Sequence, residues 1–321
     1  MVESTFRLMR TFRSTLGITN VHRFFIQLKL VIYLLVSLWA GQVHAEQADV
    51  SQIPFAIIKQ FAALSNAAYS SESGAKSLSD SLGMQLSAFH QIPGFEVQYF
   101  IVSDPINNNK IIVVRGTANL ENALVDIDAK LQVDKLSGIN LHNGFARAAQ
   151  AIYFDIEKNL QKNASYYTTG HSLGGAVALI LAMYLDRHAY QVQQVVSFGQ
   201  PKVTDLAGAK VFKHLRVLRV VTEKDIVPLV PPLDPSNISN LNIYWHLGTE
   251  MILLQGKNYA KLSGINSMLR AAKVVTEKLN TDNLDHHKMA HYLELINAKQ
   301  AQANLVPYDS NINLKKLFGF N

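Results

Sequence analysis

Apolar residues at helical spacing open the part of the chain that reads as folded. In residues 54–70 (PFAIIKQFAALSNAAYS), Ile57, Phe61, Leu64 and Ala68 share one stripe behind a proline suited to a first helical turn. The pattern then shortens. Phe95 to Val102 and Ile111 to Val114 read as strands joined by an Asn-rich turn from Asp104-Pro105 to Asn109, an antiparallel start to a sheet. Helical spacing returns from Phe145 to Leu160, and Tyr166 to Thr169 is a short strand of aromatic and β-branched residues. Leu173 to Leu185 is apolar almost all round, as a helix buried inside a domain must be. Val195 to Phe198 and Leu215 to Val221 read as further strands. Ile265 to Leu279 reads as an amphipathic helix with Met268, Leu269, Ala272, Val275 and Leu279 on one stripe, and a last helix covers about His286 to Ala298. Strands alternating with helices predict an α/β fold with a mostly parallel sheet covered on both faces. No repeat, low-complexity tract or linker divides residues 46–321, which read as a single domain.

The first 45 residues read differently. Arg7, Arg10, Arg13, Arg23 and Lys29 precede an apolar run from Leu30 to Ala40, and Val43-His44-Ala45 offers small residues at the spacing a signal peptidase reads. Residues 1–45 are therefore expected to be a signal peptide cleaved before Glu46, with export to the periplasm or the medium. The alternative is an N-terminal membrane anchor, although the 16 uncharged residues from Leu30 to Ala45 fall short of the ~20 that span a bilayer. The leader also accounts for most of the net charge of +6. It holds five of the 30 Lys/Arg and one of the 24 Asp/Glu, which leaves 25 against 23, or +2, for the remainder. That near-neutral balance excludes a basic nucleic-acid-binding face as the main function. The absence of cysteine excludes disulfides, thiolate metal sites and a thiol nucleophile. With 48% hydrophobic residues, the chain has enough apolar surface for a sizeable core. Lys257, Lys261, Arg270, Lys273 and Lys278 read as a solvated basic helix face.

Candidate chemistry centres on Gly170-His171-Ser172-Leu173-Gly174, which fits G-x-S-x-G between a strand and a buried helix. In such an elbow a strand turns sharply into a helix, the serine is held strained with its hydroxyl presented, and the amide after it stabilises an oxyanion at the helix N-terminus. His171 is read as a packing or hydrogen-bonding residue, because consecutive side chains at a tight elbow point apart. The acid of such a site follows the serine in the chain and the histidine follows the acid. After the strand ending at Val221, both Asp225 and Glu223 are candidates, with Ile226-Val227-Pro228 stiffening the segment behind Asp225. His246, His286, His287 and His291 are candidate bases, and spacing does not choose among them. His287 and His291 lie four apart on one predicted helical face, but no zincin motif accompanies them, so no metal is expected.

Five segments in order resemble the class 3, or fungal lipase-type, family of α/β-hydrolases, across about residues 54 to 296: Val114-Arg115-Gly116-Thr117, His142-Asn143-Gly144-Phe145, Gly170 to Gly175, Phe198-Gly199-Gln200-Pro201-Lys202-Val203, and Asp225-Ile226-Val227-Pro228. The resemblance implies an α/β-hydrolase fold with the nucleophile elbow after a central strand. It implies Ser172 as nucleophile, Asp225 as acid, and the backbone amides of Thr117 and Leu173 as oxyanion donors. The family's histidine precedes a tyrosine by a few residues; His287 to Tyr292 has that spacing, with His286 as the alternative base. Tyr244-Trp245-His246-Leu247-Gly248 resembles a family strand in which the histidine is structural. The family's lid corresponds to residues 118–131, which keep Asp126 but carry Ala123 where a tryptophan is usual. The implied activity is carboxylic ester hydrolysis on lipid or ester substrates, acylglycerols first, without a cofactor, with transient contact to a lipid interface and no nucleic acid partner. Two alternatives stand beside it: a phospholipase, and a non-catalytic envelope or binding protein on a hydrolase scaffold.

Overall fold

Neighbouring positions along the central strands face two different cores, which is why these strands look uniformly apolar in sequence. In the strand Asn109–Val114, Ile112 and Val114 join one core, and Ile111 and Val113 join the other. The same alternation separates Val195 from Val196 and Phe198 in the strand Gln191–Phe198, and Val217 from Leu218 and Val220 in the strand Val217–Thr222. The computed structural model describes residues 53–94, 97–117, 130–231, 243–272 and 281–308. By its backbone contacts the chain divides into two units. One comprises residues 1–46, 234–243 and 311–321 and lies, Ile243 apart, outside the described residues. The other comprises 47–233 and 244–310 and holds every element below.

In chain order the elements are α1 (Phe55–Ala67), α2 (Glu72–Ser81), β1 (Gln85–Ile92), β2 (Val97–Asp104), β3 (Asn109–Val114), β4 (Leu131–Val133), β5 (Asn140–His142), α3 (Asn143–Ile156), β6 (Ser165–His171), α4 (Leu173–Arg187), β7 (Gln191–Phe198), β8 (Thr204–Asp205), α5 (Leu206–Val211), β9 (Val217–Thr222), β10 (Tyr244–Trp245), β11 (Thr249–Leu253), β12 (Asn258–Ser263), α6 (Gly264–Ala272), α7 (Thr281–His287), α8 (Met289–Asn297) and β13 (Asn304–Leu305). The main sheet runs β1-β2-β3-β6-β7-β9-β11-β12-β13. Strands β1, β2 and β3 pair antiparallel, and β3, β6, β7, β9 and β11 are parallel. A four-stranded sheet, β10-β8-β5-β4, is separate in pairing. This is the α/β-hydrolase arrangement that the sequence led us to expect, with helices on both faces.

Helix α4 is buried from Gly174 to Leu185 without interruption because it lies between the sheet and α3. Full burial of each of its large aliphatic side chains is worth about 1.5–3 kcal/mol relative to exposure. On the other face α1 and α8 supply the second core. There Phe61, Leu64 and Ala68 are buried as expected and are joined by Ile58, Ala62 and Ser65, while Ile57, also expected inside, is 38% exposed. The stripe is broader than the apolar spacing implied because it includes Ser65, whose Oγ shares a hydrogen bond of 3.0 Å with Thr169 Oγ1 of β6. The last predicted helix is also corrected. Lys288 is extended (φ −64, ψ 137) and divides α7 from α8, so His287 and His291 do not share one continuous helical face. Neither α2 nor β1 is visible in the apolar pattern. The first is polar and is held by its Ser71 cap on the Gly74 amide and by burial of Ala75 and Ser79, and β1 packs Leu86, Phe89 and Ile92 on the cores. Among the described residues, no helix is long and apolar enough to cross a membrane. The leader (1–45), the Phe95 end of the second strand, most of the predicted lid (118–129) and the segment 273–280 lie outside the described residues.

Candidate active site

Four segments singled out in the sequence leave the sheet at the carboxyl ends of neighbouring parallel strands, where ligand crevices of open α/β sheets form. Thr117 follows β3, Ser172 follows β6, Gly199 follows β7 and Asp225 follows β9. Ser172 has φ 58 and ψ −132. A serine there stores about 1–3 kcal/mol of backbone strain that the surroundings must hold in place. They do so through its N–H, which donates to Phe198 O at 2.8 Å, and its carbonyl, which accepts from Gly175 and Ala176 N–H at 2.9 and 3.3 Å. The turn closes only because Gly174 has no side chain. A Cβ there would lie 2.2 Å from Val114 O and 2.7 Å from Arg115 C, both backbone atoms. The same crossing brings the loop after β3 against the serine, since a Cβ on Gly116 would lie 3.2 Å from Ser172 Cβ. Thr117 is the next residue in that loop. The Leu173 amide begins α4 and so has no acceptor within its helix. It stands at the positive end of the helix dipole.

Asp225 is fully buried and its two oxygens are fully engaged. Oδ1 accepts Val227 N–H at 2.9 Å, and Oδ2 accepts both His287 Nδ1–H at 2.7 Å and the Tyr292 hydroxyl at 2.5 Å. Burial alone would push this carboxyl up. The His287 charge and the three hydrogen bonds together outweigh burial, and the net shift is downward. Because a carboxylate can only accept, His287 carries a proton on Nδ1, so Nε2 is the nitrogen that a second proton would occupy. That Nε2 is buried and has no hydrogen-bond partner. Gly199, at φ 59, makes room for the ring, since a Cβ there would lie 2.7 Å from His287 Cε1 and 3.0 Å from Asp225 Oδ2. Tyr292 is wholly buried, and its hydroxyl is pushed well above the usual range by burial and then by the adjacent Asp225 charge, so it stays a donor.

The other candidates occupy different surroundings. Glu223 is exposed in the turn after β9. His246 is buried and donates from Nε2 to Pro228 O at 2.6 Å. His286 offers its carbonyl to Thr222 Oγ1 at 2.9 Å, and its ring lies edge-on to His291 at 4.5 Å. His171 is buried, with its ring 4.4 Å from that of His287. Arg270, expected on a solvated face, is instead 2% exposed and pairs with Glu250 at 3.2 Å. It belongs to a buried group in which Arg219 Nη2 donates to Ser267 Oγ at 2.8 Å and Ser267 Oγ donates to Glu250 at 2.6 Å. Lys202 is buried too. Its ammonium bonds the carbonyls of Leu229 and Pro231 and so supports the chain that follows Asp225. Burial lowers its pKa to about 7.

The sequence model of the family described as Lipase (class 3) matches residues 111–234, the stretch that carries β3, the elbow and Asp225. Over that stretch the chain is similar to the class 3 lipase family. The secreted mono- and diacylglycerol lipase 1 of Fusarium solani is 27% identical over 150 residues, 42% of this chain and 43% of that protein. The lipase of Rhizomucor miehei is 32% identical over 138 residues, 38% of this chain and 37% of that protein. The chain thus spans less than half the length of these curated relatives. The solved Lip2 lipase of Yarrowia lipolytica superposes with a TM-score of 0.53 at 24% identity, over 62% of this chain and 80% of that one, a likeness of fold. The structure brings Ser172, Leu173, Thr117, Asp225 and His287 to one end of the sheet. The sequence reading did not single out Tyr69, whose ring sits 5.8 Å from His171, or the buried set around Glu250. No local signal marks Tyr69, which lies 102 residues from its partner.

Proposed function

We propose that the chain is a serine hydrolase that cleaves carboxylic esters, acting as a lipase on acylglycerols through an acyl-enzyme. One observation carries the reading: a buried imidazole, locked by Asp225 with its Nε2 unpartnered, lies 4.4 Å from the ring of His171, the residue before a serine held at a strained strand-to-helix elbow. Ser172 Oγ attacks the ester carbonyl carbon and its proton passes to His287 Nε2. The carbonyl oxygen, now an oxyanion, is held by the Leu173 and Thr117 amides, each such donor being worth roughly 10²–10³ in rate. His287 returns the proton to the alkoxide as the carbon–oxygen bond breaks and the alcohol leaves. Water then attacks the acyl-enzyme and gives a proton to His287 Nε2, which passes it to Ser172 Oγ as the carbon–Oγ bond breaks and the carboxylic acid departs.

A fluorophosphonate probe applied to the folded protein tests this directly. The expected result is one covalent adduct on Ser172, absent in Ser172→Ala. A folded protein that takes no label points instead to a binding module on a hydrolase scaffold. A panel of p-nitrophenyl esters, triacylglycerols and phosphatidylcholine, below and above the solubility limit, reads substrate class. Turnover of acylglycerols above that of phosphatidylcholine is expected, and a rate jump at the interface would indicate that residues 118–131 act as a lid.

We also infer export. The basic leader, the apolar run and Val43-His44-Ala45 support it. Mature protein recovered outside the cytoplasm should begin at Glu46 by N-terminal sequencing; material that keeps residues 1–45 and sediments with membranes would favour the anchor.

A further inference from the structure

His171 is an ionisable residue buried where continuing β6 into the elbow calls for no polar side chain. Both its nitrogens are used. Nε2 lies 2.7 Å from the main-chain carbonyl of His287, and Nδ1 lies 2.8 Å from the hydroxyl of Tyr69. We propose that Tyr69 and His171 are positioning residues, a neutral hydrogen-bonded strut that ties the loop bearing Thr117 to the backbone of the base His287. The inference rests on the hydrolase reading above.

The direction of each hydrogen bond follows from what each atom can do. A carbonyl only accepts, so His171 Nε2 carries the proton and donates to His287 O. Burial, followed by the nearby His287 charge, pulls the His171 pKa down to about 3, so the ring is neutral and Nδ1 is an acceptor. Tyr69 therefore donates to Nδ1. Burial raises its own pKa, and the Gly116 amide interacts with the same hydroxyl oxygen. The two groups are in close contact, since a Cβ on Gly116 would lie 2.4 Å from Tyr69 Oη. The hydrogen bonds thus point one way, from Tyr69 through His171 to His287, with Gly116 packed against the Tyr69 hydroxyl.

Both ends of this strut need holding. His287 is the last residue of α7, where terminal carbonyls lack intrahelical donors and the extended Lys288 ends the helix. His171 Nε2–H supplies the missing donor. At the other end, Tyr69 stands just beyond α1, and Gln98 clamps this end to the oxyanion loop. Gln98 Nε2 donates to Ala68 O at 3.2 Å, its Oε1 accepts from Arg115 Nη1 at 3.0 Å, and its carbonyl accepts Arg115 N–H at 2.9 Å. The neutrality of His171 also matters to the chemistry. Its ring centroid lies 4.4 Å from that of the ring that becomes an imidazolium during the reaction, so a charge there would oppose proton transfer.

The test is a double-mutant cycle on the full chain with Tyr69→Phe, His171→Leu and the pair, read as kcat and KM on p-nitrophenyl butyrate and as the fluorophosphonate labelling rate. Tyr69→Phe is expected to lower kcat by roughly 10- to 100-fold, the scale of a small misplacement of reacting groups, with KM within about threefold. The pair should cost little more than the worse single variant, because both break one strut. His171→Gln, which keeps an N–H near Nε2, should recover part of the loss. Tyr69→Phe within about twofold of the parent, or strictly additive losses, would overturn the proposal. A parent that neither labels nor turns over esters defeats the hydrolase reading instead, and ¹⁵N imidazole spectra then decide the strut on its own. A His171 ring protonated on Nε2, with an Nδ1 resonance that moves in Tyr69→Phe, upholds it, whereas an Nδ1 indifferent to that hydroxyl removes it.

Discussion

His287→Ala is expected to lower kcat on a soluble ester by on the order of a million-fold, and adding Ser172→Ala should remove little more. The size follows from the shared role. Without an acceptor for its proton the serine hydroxyl is a poor nucleophile, and without the serine the imidazole has nothing to activate, so the two losses do not add. The same experiment separates the late histidines. His286 engages Thr222 through its carbonyl, which an alanine keeps, and His291 lies beyond the break at Lys288 with its Nδ1 3.4 Å from Glu294. Both alanine variants should stay within about tenfold of the parent, residual activity far above that of a lost triad member. Steady-state rates on p-nitrophenyl butyrate, with circular dichroism to show that each variant is folded, check the set. If His286→Ala is the inactive one, the base has been misassigned by a single position.

Asp225→Asn should cost about 10⁴-fold in kcat while leaving the fold intact. The reason lies in the donors around it. Oδ2 accepts two hydrogen bonds, from His287 Nδ1–H and the Tyr292 hydroxyl, and Oδ1 accepts one from Val227 N–H. An asparagine has only one acceptor oxygen, so either rotamer points an amide NH₂ at a donor. If the NH₂ faces His287, the imidazole must move its proton to Nε2, and the atom that should take the serine proton is then blocked. If it faces Val227, the loop that fixes the carboxyl must shift. Tyr292→Phe, which removes one of the three donors and no charge, belongs well below Asp225→Asn on the same scale. Equal losses in the two variants would mean that the site depends on packing around Asp225 more than on its charge.

Much of the site was readable because its parts are local. A strand that runs into Gly-His-Ser-Leu-Gly and then into an all-apolar helix specifies an elbow from contacts within a few residues, and Ser172 does adopt the strained conformation at that point. The order of serine, acid and late histidine confined the remaining candidates to short stretches. Spacing alone did not separate Asp225 from Glu223 or one histidine from another. In the fold Glu223 is exposed while Asp225 is enclosed by three donors, a difference of environment that no residue type announces.

What the chain determined by itself was therefore periodicity, elbow and order, since these depend on interactions between residues a few positions apart. Only the tertiary structure decided that Arg270 is buried against Glu250, that Lys288 breaks the last helix, and that Tyr69 reaches His171 across 102 residues. It also decided the polar segment α2, whose conformation comes from what it packs on and not from its own pattern. The physical reason is the same in each case: a side chain's partner, burial and proton position are set by which distant strands lie next to one another, and adjacency in a sheet is a property of the crossovers, not of the sequence within any one element.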